Sequence, residues 1–116
     1  MDVRKGPNLN LTVLERLLLL RVLPKQGNLT TLRIVRELER DLSFSEEEHA
    51  ALQFVTEGVS VRWKAENAID KEVEFGPKAR ELVLAGLAEL DKQEALTLDW
   101  LDLCDKFGYV GDDATD

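Results

Sequence analysis

The sequence predicts a mainly α, α+β domain of about five helices with one two-stranded β-hairpin. Apolar residues recur at helical spacing in several segments, each bounded by capping or turn residues. After Gly58 the period changes to two, the spacing of a half-buried strand. The composition, 44% hydrophobic and 33% charged over 116 residues, is that of one globular domain with its own core.

Residues 1–10 lack periodicity and read as a flexible lead-in to a single globular body over 11–107. Thr12 is placed to cap a helix running to about Leu23, ended by Pro24 and the Gln26-Gly27-Asn28 turn. Its apolar positions cover more than one face. Leu17 to Leu20 cannot all address one core surface, because successive helical residues turn by about 100°. Either other helices surround this segment or a second chain covers one side.

Thr30 reads as the N-cap of a second helix, with Leu29 and Ile34 spaced as a hydrophobic staple and Leu32, Val35, Leu38 and Leu42 as an inward stripe. Leu42-Ser43-Phe44 breaks it. Ser45 and Glu48 have capping-box spacing for a third helix to about Phe54, and Glu46, Glu47 and Glu48 sit where the helix dipole favours negative charge. Val59, Val61 and Trp63 then alternate with Ser60, Arg62 and Lys64, and Val73 and Phe75 with Glu72 and Glu74. Pairing these runs as a hairpin over 59–75 sets Arg62 and Lys64 opposite Glu72 and Glu74.

Gly76-Pro77 opens a fourth helix. Its stripe of Ala79, Leu82, Val83, Gly86, Leu87 and Leu90 keeps helical spacing, with Gly86 allowing a close approach. Thr97 reads as the cap of a last helix to about Phe107, with Trp100, Leu101, Cys104 and Phe107 as core contacts. Residues 108–116 read as an acidic flexible tail.

Three helices followed by a two-stranded wing is the element order of winged helix-turn-helix domains, and residues 11–76 resemble that class in order alone. The resemblance implies a third helix in the major groove and a wing on the DNA backbone. Here that helix would present Glu46, Glu47, Glu48 and Glu57 around His49, an acidic face that phosphate repels; only Gln53 suits base readout. The compact size and the closing 96–107 segment also resemble small acidic proteins of unknown function encoded by phages and prophages. That likeness implies a protein that acts on another protein.

The net charge of −8 counts against indiscriminate nucleic-acid binding. Charge is unevenly spread: residues 1–41 hold eight Lys/Arg and five Asp/Glu, a net +3, and residues 42–116 hold seven and eighteen, a net −11. No apolar run approaches the roughly 20 residues that cross a bilayer, no signal-peptide core follows Arg4 and Lys5, and the lone Cys104 excludes an internal disulfide. A cytoplasmic protein, including one acting in a host cytoplasm, is the expectation.

Arg33, Arg36 and Arg40 fall at i, i+3 and i+7 and line one helix face, with Arg21 and Lys25 as possible extensions. They form either a patch for an acidic partner or a solvated face of local ion pairs such as Arg33 with Glu37. Trp63 and Trp100 are large enough to anchor an interface, though packing in the core is the commoner fate of tryptophan. His49 and Cys104 are single residues of their types, too few for a metal site, and read as a surface group and a small core hydrophobe. Asp112, Asp113 and Asp116 lack the loop spacing of a calcium site. No glycine-rich phosphate loop or nucleophile elbow appears.

The expectation is therefore a non-enzymatic protein-binding module without cofactor, metal or catalytic residues. Arg33, Arg36, Arg40, Arg21 and Trp63 are its candidate partner-binding residues. The partner is another protein, or a second copy through the helix at 11–23. The alternatives are a winged-helix DNA binder, using the arginines with Arg62 and Lys64, and an acidic DNA mimic.

Overall fold

A computed structural model describes residues 8–111. In chain order it contains β1 (Asn8–Leu11), α1 (Val13–Val22), α2 (Leu29–Leu42) and α3 (Glu46–Leu52). There follow β2 (Val55–Glu57), β3 (Ser60–Arg62), β4 (Lys71–Glu74), α4 (Pro77–Lys92) and α5 (Leu101–Phe107), with short 3₁₀ turns at 65–67 and 98–100. Five helices and two small antiparallel ribbons make the mainly helical α+β domain that the residue patterns predict.

Local chemistry sets most boundaries. Thr12 and Glu15 form a complete capping box at α1, and Ser45 and Glu48 form another at α3. Pro24 forces Leu23 into an extended conformation and so ends α1. The second helix begins earlier than predicted. Asn28, not Thr30, is its N-cap, accepting a 2.9 Å bond from the Thr31 amide, and Leu29 is 63% exposed, so the expected staple does not form.

The predicted hairpin over 59–75 is corrected. β3 pairs with β2 through the two-residue loop Gly58-Val59, where Gly58 takes the positive φ of 63° that tight hairpin loops require. Closing a two-residue loop costs less chain entropy than spanning residues 65–70. Arg62 accordingly pairs with Glu57 at 2.9 Å instead of facing Glu72. β4 is claimed by β1, in the register Asn8↔Glu74 to Leu11↔Lys71. Residues 8–10 therefore belong to the folded body and not to a loose lead-in. The carboxyl-terminal boundary also moves: Tyr109 donates a 2.7 Å bond to Asp91 Oδ2, so ordered contacts continue past Phe107. Residues 1–7 and 112–116, the remainder of the predicted lead-in and acidic tail, lie outside the described residues.

The core lies between the β1–β4 ribbon and α1, α2, α4 and α5. Leu11, Leu19, Leu42, Val83, Leu87 and Leu103 are fully enclosed there. Phe75 and Phe107 meet edge to face at 4.9 Å. Gly86 lets α4 cross the end of α1, since a Cβ at this position would stand 2.6 Å from Val22 Cγ2. Trp100 and Cys104 join the core as expected; Leu101 points to solvent, 58% exposed. Thr97 makes no side-chain cap bond, and the last helix starts through the 3₁₀ turn.

Candidate functional site

The four leucines of α1 divide. Leu18 and Leu19 are buried at 6% and 0% exposure, while Leu17 and Leu20 are only half-buried. With Leu14 they form one wall of an open groove of about 850 Å³. The same groove is lined by the β2–β3 hairpin through Val59, Val61 and Trp63, the alternating residues that predict a half-buried strand. The strand's expected core is thus an open space. A second hollow of about 770 Å³ shares Leu18, Arg21, Val59, Ser60 and Asp99 with the first and carries the groove on to Gly86 and Trp100.

Arg21 and Lys25 stand at this groove together with Asp99, and all three are exposed. No ion pair or hydrogen bond joins the side chain of any of them to another group among the described residues. Of the predicted partner-binding residues, the fold brings Arg21 and Trp63 together here. Arg33, Arg36 and Arg40 are separate: all three are exposed on α2, and none lines the groove or forms an ion pair with a carboxylate of the described residues. A smaller hollow of about 360 Å³ between α2 and the start of α4 holds none of the predicted residues.

Behind the groove, α1 is linked to the hairpin through a residue that the sequence pattern treats as an interruption. Arg16 is completely buried. Its Nε donates to the Leu42 carbonyl at 3.1 Å and its Nη2 to the Ser43 carbonyl at 2.6 Å. Both Nη atoms reach the Glu48 carboxylate, at 2.6 and 3.2 Å. The guanidinium also lies 3.9 Å from the centre of the Phe44 ring. Phe44 packs edge to face on Phe54 at 5.0 Å, and Phe54 lies 6.1 Å from Trp63. A continuous path of contacts therefore runs from the inner side of α1 through Arg16, Phe44 and Phe54 to the hairpin wall. Arg16 thereby ties α1 to the α2–α3 junction. Its one signal in the sequence is charge inside an otherwise apolar run.

The Arg16 hydrogen bonds hold the Glu48 carboxyl at about 2, down from an ordinary 4.5 and against the opposing effect of burial. The Ser45 amide and the charges of Arg16 and Lys71 act in the same direction. A carboxylate whose pKa is lower folded than unfolded stabilises the fold wherever it is ionised. That contribution is complete above about pH 4.5 and is lost as pH falls toward 2. Glu48→Gln, which still offers an oxygen to the Ser45 amide, should be less stable than the wild type by about 1–2 kcal/mol at pH 7, allowing for water around a side chain 31% exposed. Urea titrations across the acid range should show most of this gap closed by pH 2.

Other reactive groups have structural settings. Burial pushes the Cys104 thiol above its ordinary range, with Asp105 and Asp91 adding to the effect, so it stays protonated and packs as an apolar group. His49 stacks edge to face on Phe44 and Phe54. No group of three or more potential metal ligands occurs among the described residues, nor does any helix long and apolar enough to cross a membrane. Protein-family models, curated proteins and solved structures provide no match to this chain.

Proposed function

We propose that this protein is a non-enzymatic docking module that binds a protein chain in the groove between α1 and the β2–β3 hairpin. One observation carries the reading: Leu14, Leu17 and Leu20 of α1 and Val59, Val61 and Trp63 of the hairpin together line an open groove of about 850 Å³. Apolar surface in water is unfavourable by about 25 cal/mol per Å², so a chain that fills this space recovers free energy that the fold leaves unused. Trp63, half-buried and held from behind by Phe54, has the setting of an interface anchor.

Electrostatics favours protein over nucleic acid. Glu46 and Glu47 are exposed on α3, the helix that a winged-helix reading would send into the major groove, and the chain as a whole carries −8. The exposed row Arg33, Arg36 and Arg40 contributes to orientation and encounter rate, the usual effect of charge outside the contact itself.

Photo-crosslinking tests the proposal. A benzophenone side chain at position 59, where Val59 is 91% exposed and its replacement disturbs no packing, should yield a covalent adduct with a protein in cell extract. The same group in place of exposed Glu81 on α4 should not. Equal adducts from both positions, or none from position 59, would overturn the groove as the binding surface.

A further inference from the structure

We infer that this protein associates with itself, the outer face of α2 in one copy meeting the outer face of α5 in another. The contact uses none of the residues that line the groove and does not depend on it.

Two segments carry one pattern with opposite charge. Leu29, Leu32, Arg33 and Arg36 stand at i, i+3, i+4 and i+7, and Leu98, Leu101, Asp102 and Asp105 repeat that spacing. Both sets face solvent. The buried residues of α2 are Val35, Leu38 and Leu42, and those of the last turn and helix are Trp100, Leu103, Cys104 and Phe107, on the opposite side in each case. The four leucines are between 38% and 84% exposed. The side chains of Arg33, Arg36, Asp102 and Asp105 form no ion pair or hydrogen bond among the described residues.

The spacing makes the two faces complementary when the segments run parallel. From Leu29 to Arg36 the α2 face spans about 10 Å at 1.5 Å per residue. The 3₁₀ turn at 98–100 rises by about 2 Å per residue and stacks Leu98 over Leu101, so the face from Leu98 to Asp105 spans about 12 Å. Leucine then meets leucine at two levels, and arginine meets aspartate at two more. Scattered surface leucines are ordinary. Here each pair precedes two charges of one sign, so the apolar ends and the charged ends come together at once. Nucleic acid would satisfy the arginines and leave the leucines in water. Within one copy both faces stay exposed, so the contact joins separate copies. Where two such contacts close within one pair the product is a two-fold dimer; otherwise copies add head to tail. The net charge of −8 on each copy opposes approach, but at physiological salt charges more than about 8 Å apart are largely screened.

Sedimentation equilibrium of the purified full chain at about 0.15 M salt, from about 1 μM to 1 mM, provides the test. The average mass of the wild type should rise above that of the monomer as concentration increases. Arg33→Glu with Arg36→Glu in one protein, and Asp102→Lys with Asp105→Lys in another, set like charges against each other, and each should weaken association by about tenfold or more. All four positions are exposed, so the variants should keep the wild-type circular dichroism. Mixing the two variants brings the acidic α2 face of one to the basic α5 face of the other and leaves an unaltered pair of faces beside it. The mixture should therefore recover close to wild-type association, which an unfolded variant could not do. A wild type that stays monomeric over the whole range would overturn the inference, as would charge variants that associate normally or a mixture that fails to recover. The crosslink at position 59 reads the groove separately, so failure of either result leaves the other standing.

Discussion

Replacing Arg16 with alanine should destabilise the domain by about 3–5 kcal/mol, measured as a shift in the urea unfolding midpoint at pH 7. A domain of ordinary size is stable by only about 5–15 kcal/mol, so this is a large share of the total. The substitution removes the donors that serve the Leu42 and Ser43 carbonyls, leaves the Glu48 carboxylate without its cation and empties the space over Phe44. Arg16→Lys should recover little. A single ammonium cannot meet two carbonyls and both carboxylate oxygens in one plane while stacking on an aromatic ring. A loss below about 1 kcal/mol for the alanine variant would mean that the network does not hold the α2–α3 junction to α1.

The second large effect is expected at the other end of the core. Phe107→Ala should cost about 3–5 kcal/mol by the same measurement, the range for deleting a buried aromatic ring. Phe107 is 1% exposed, lies edge to face with Phe75, and its carbonyl accepts a 2.7 Å bond from Arg80. Its removal opens a cavity where α5 closes on Phe75 and α4. Trp63→Ala serves as the internal contrast. That ring is larger, yet half-buried beside an open groove, so its loss should cost only about 1 kcal/mol of stability. If Trp63→Ala proved as destabilising as Phe107→Ala, the hairpin would be part of the core and not the wall of a binding groove.

The helices were legible because their signals are local. The Thr12–Glu15 and Ser45–Glu48 boxes and the Pro77 start each lie within one turn of the boundary they set. Pairing of strands was less legible. The run Val55-Thr56-Glu57 is too short to display a period, and Gly58 marks a break equally well whether it ends a helix or turns a hairpin. Nothing near Asn8–Leu11 announces a partner 60 or more residues away, and the pairing follows from tertiary packing of Leu11 and Val73.

For the candidate site, Arg21 and Trp63 were visible as residue types, but not their meeting in one groove. The helical spacing that aligns Arg33, Arg36 and Arg40 is local and holds in the fold. Arg16 escaped notice because its value lies in two carbonyls and a carboxylate contributed from 26 to 32 residues away. A charged residue inside an apolar helical stretch deserves to be read as a candidate buried anchor, not only as an interruption.

The junction at Lys106 has a consequence for how the protein is made. Its ammonium binds the Asn10 carbonyl and the Glu15 carboxylate, both at 2.6 Å, across 96 and 91 residues of sequence. At a translation rate of about 10 residues per second, α1 leaves the ribosome some 10 s before the residues that fasten it. During that interval β1, α2 and α4 can cover α1 but the side chains of Leu103, Cys104 and Phe107 that complete the core are still missing, and the growing chain presents apolar surface that chaperones hold. Slow codons placed before the segment encoding α5 would lengthen this exposure and lower the yield of folded protein, whereas the same codons placed after it would not.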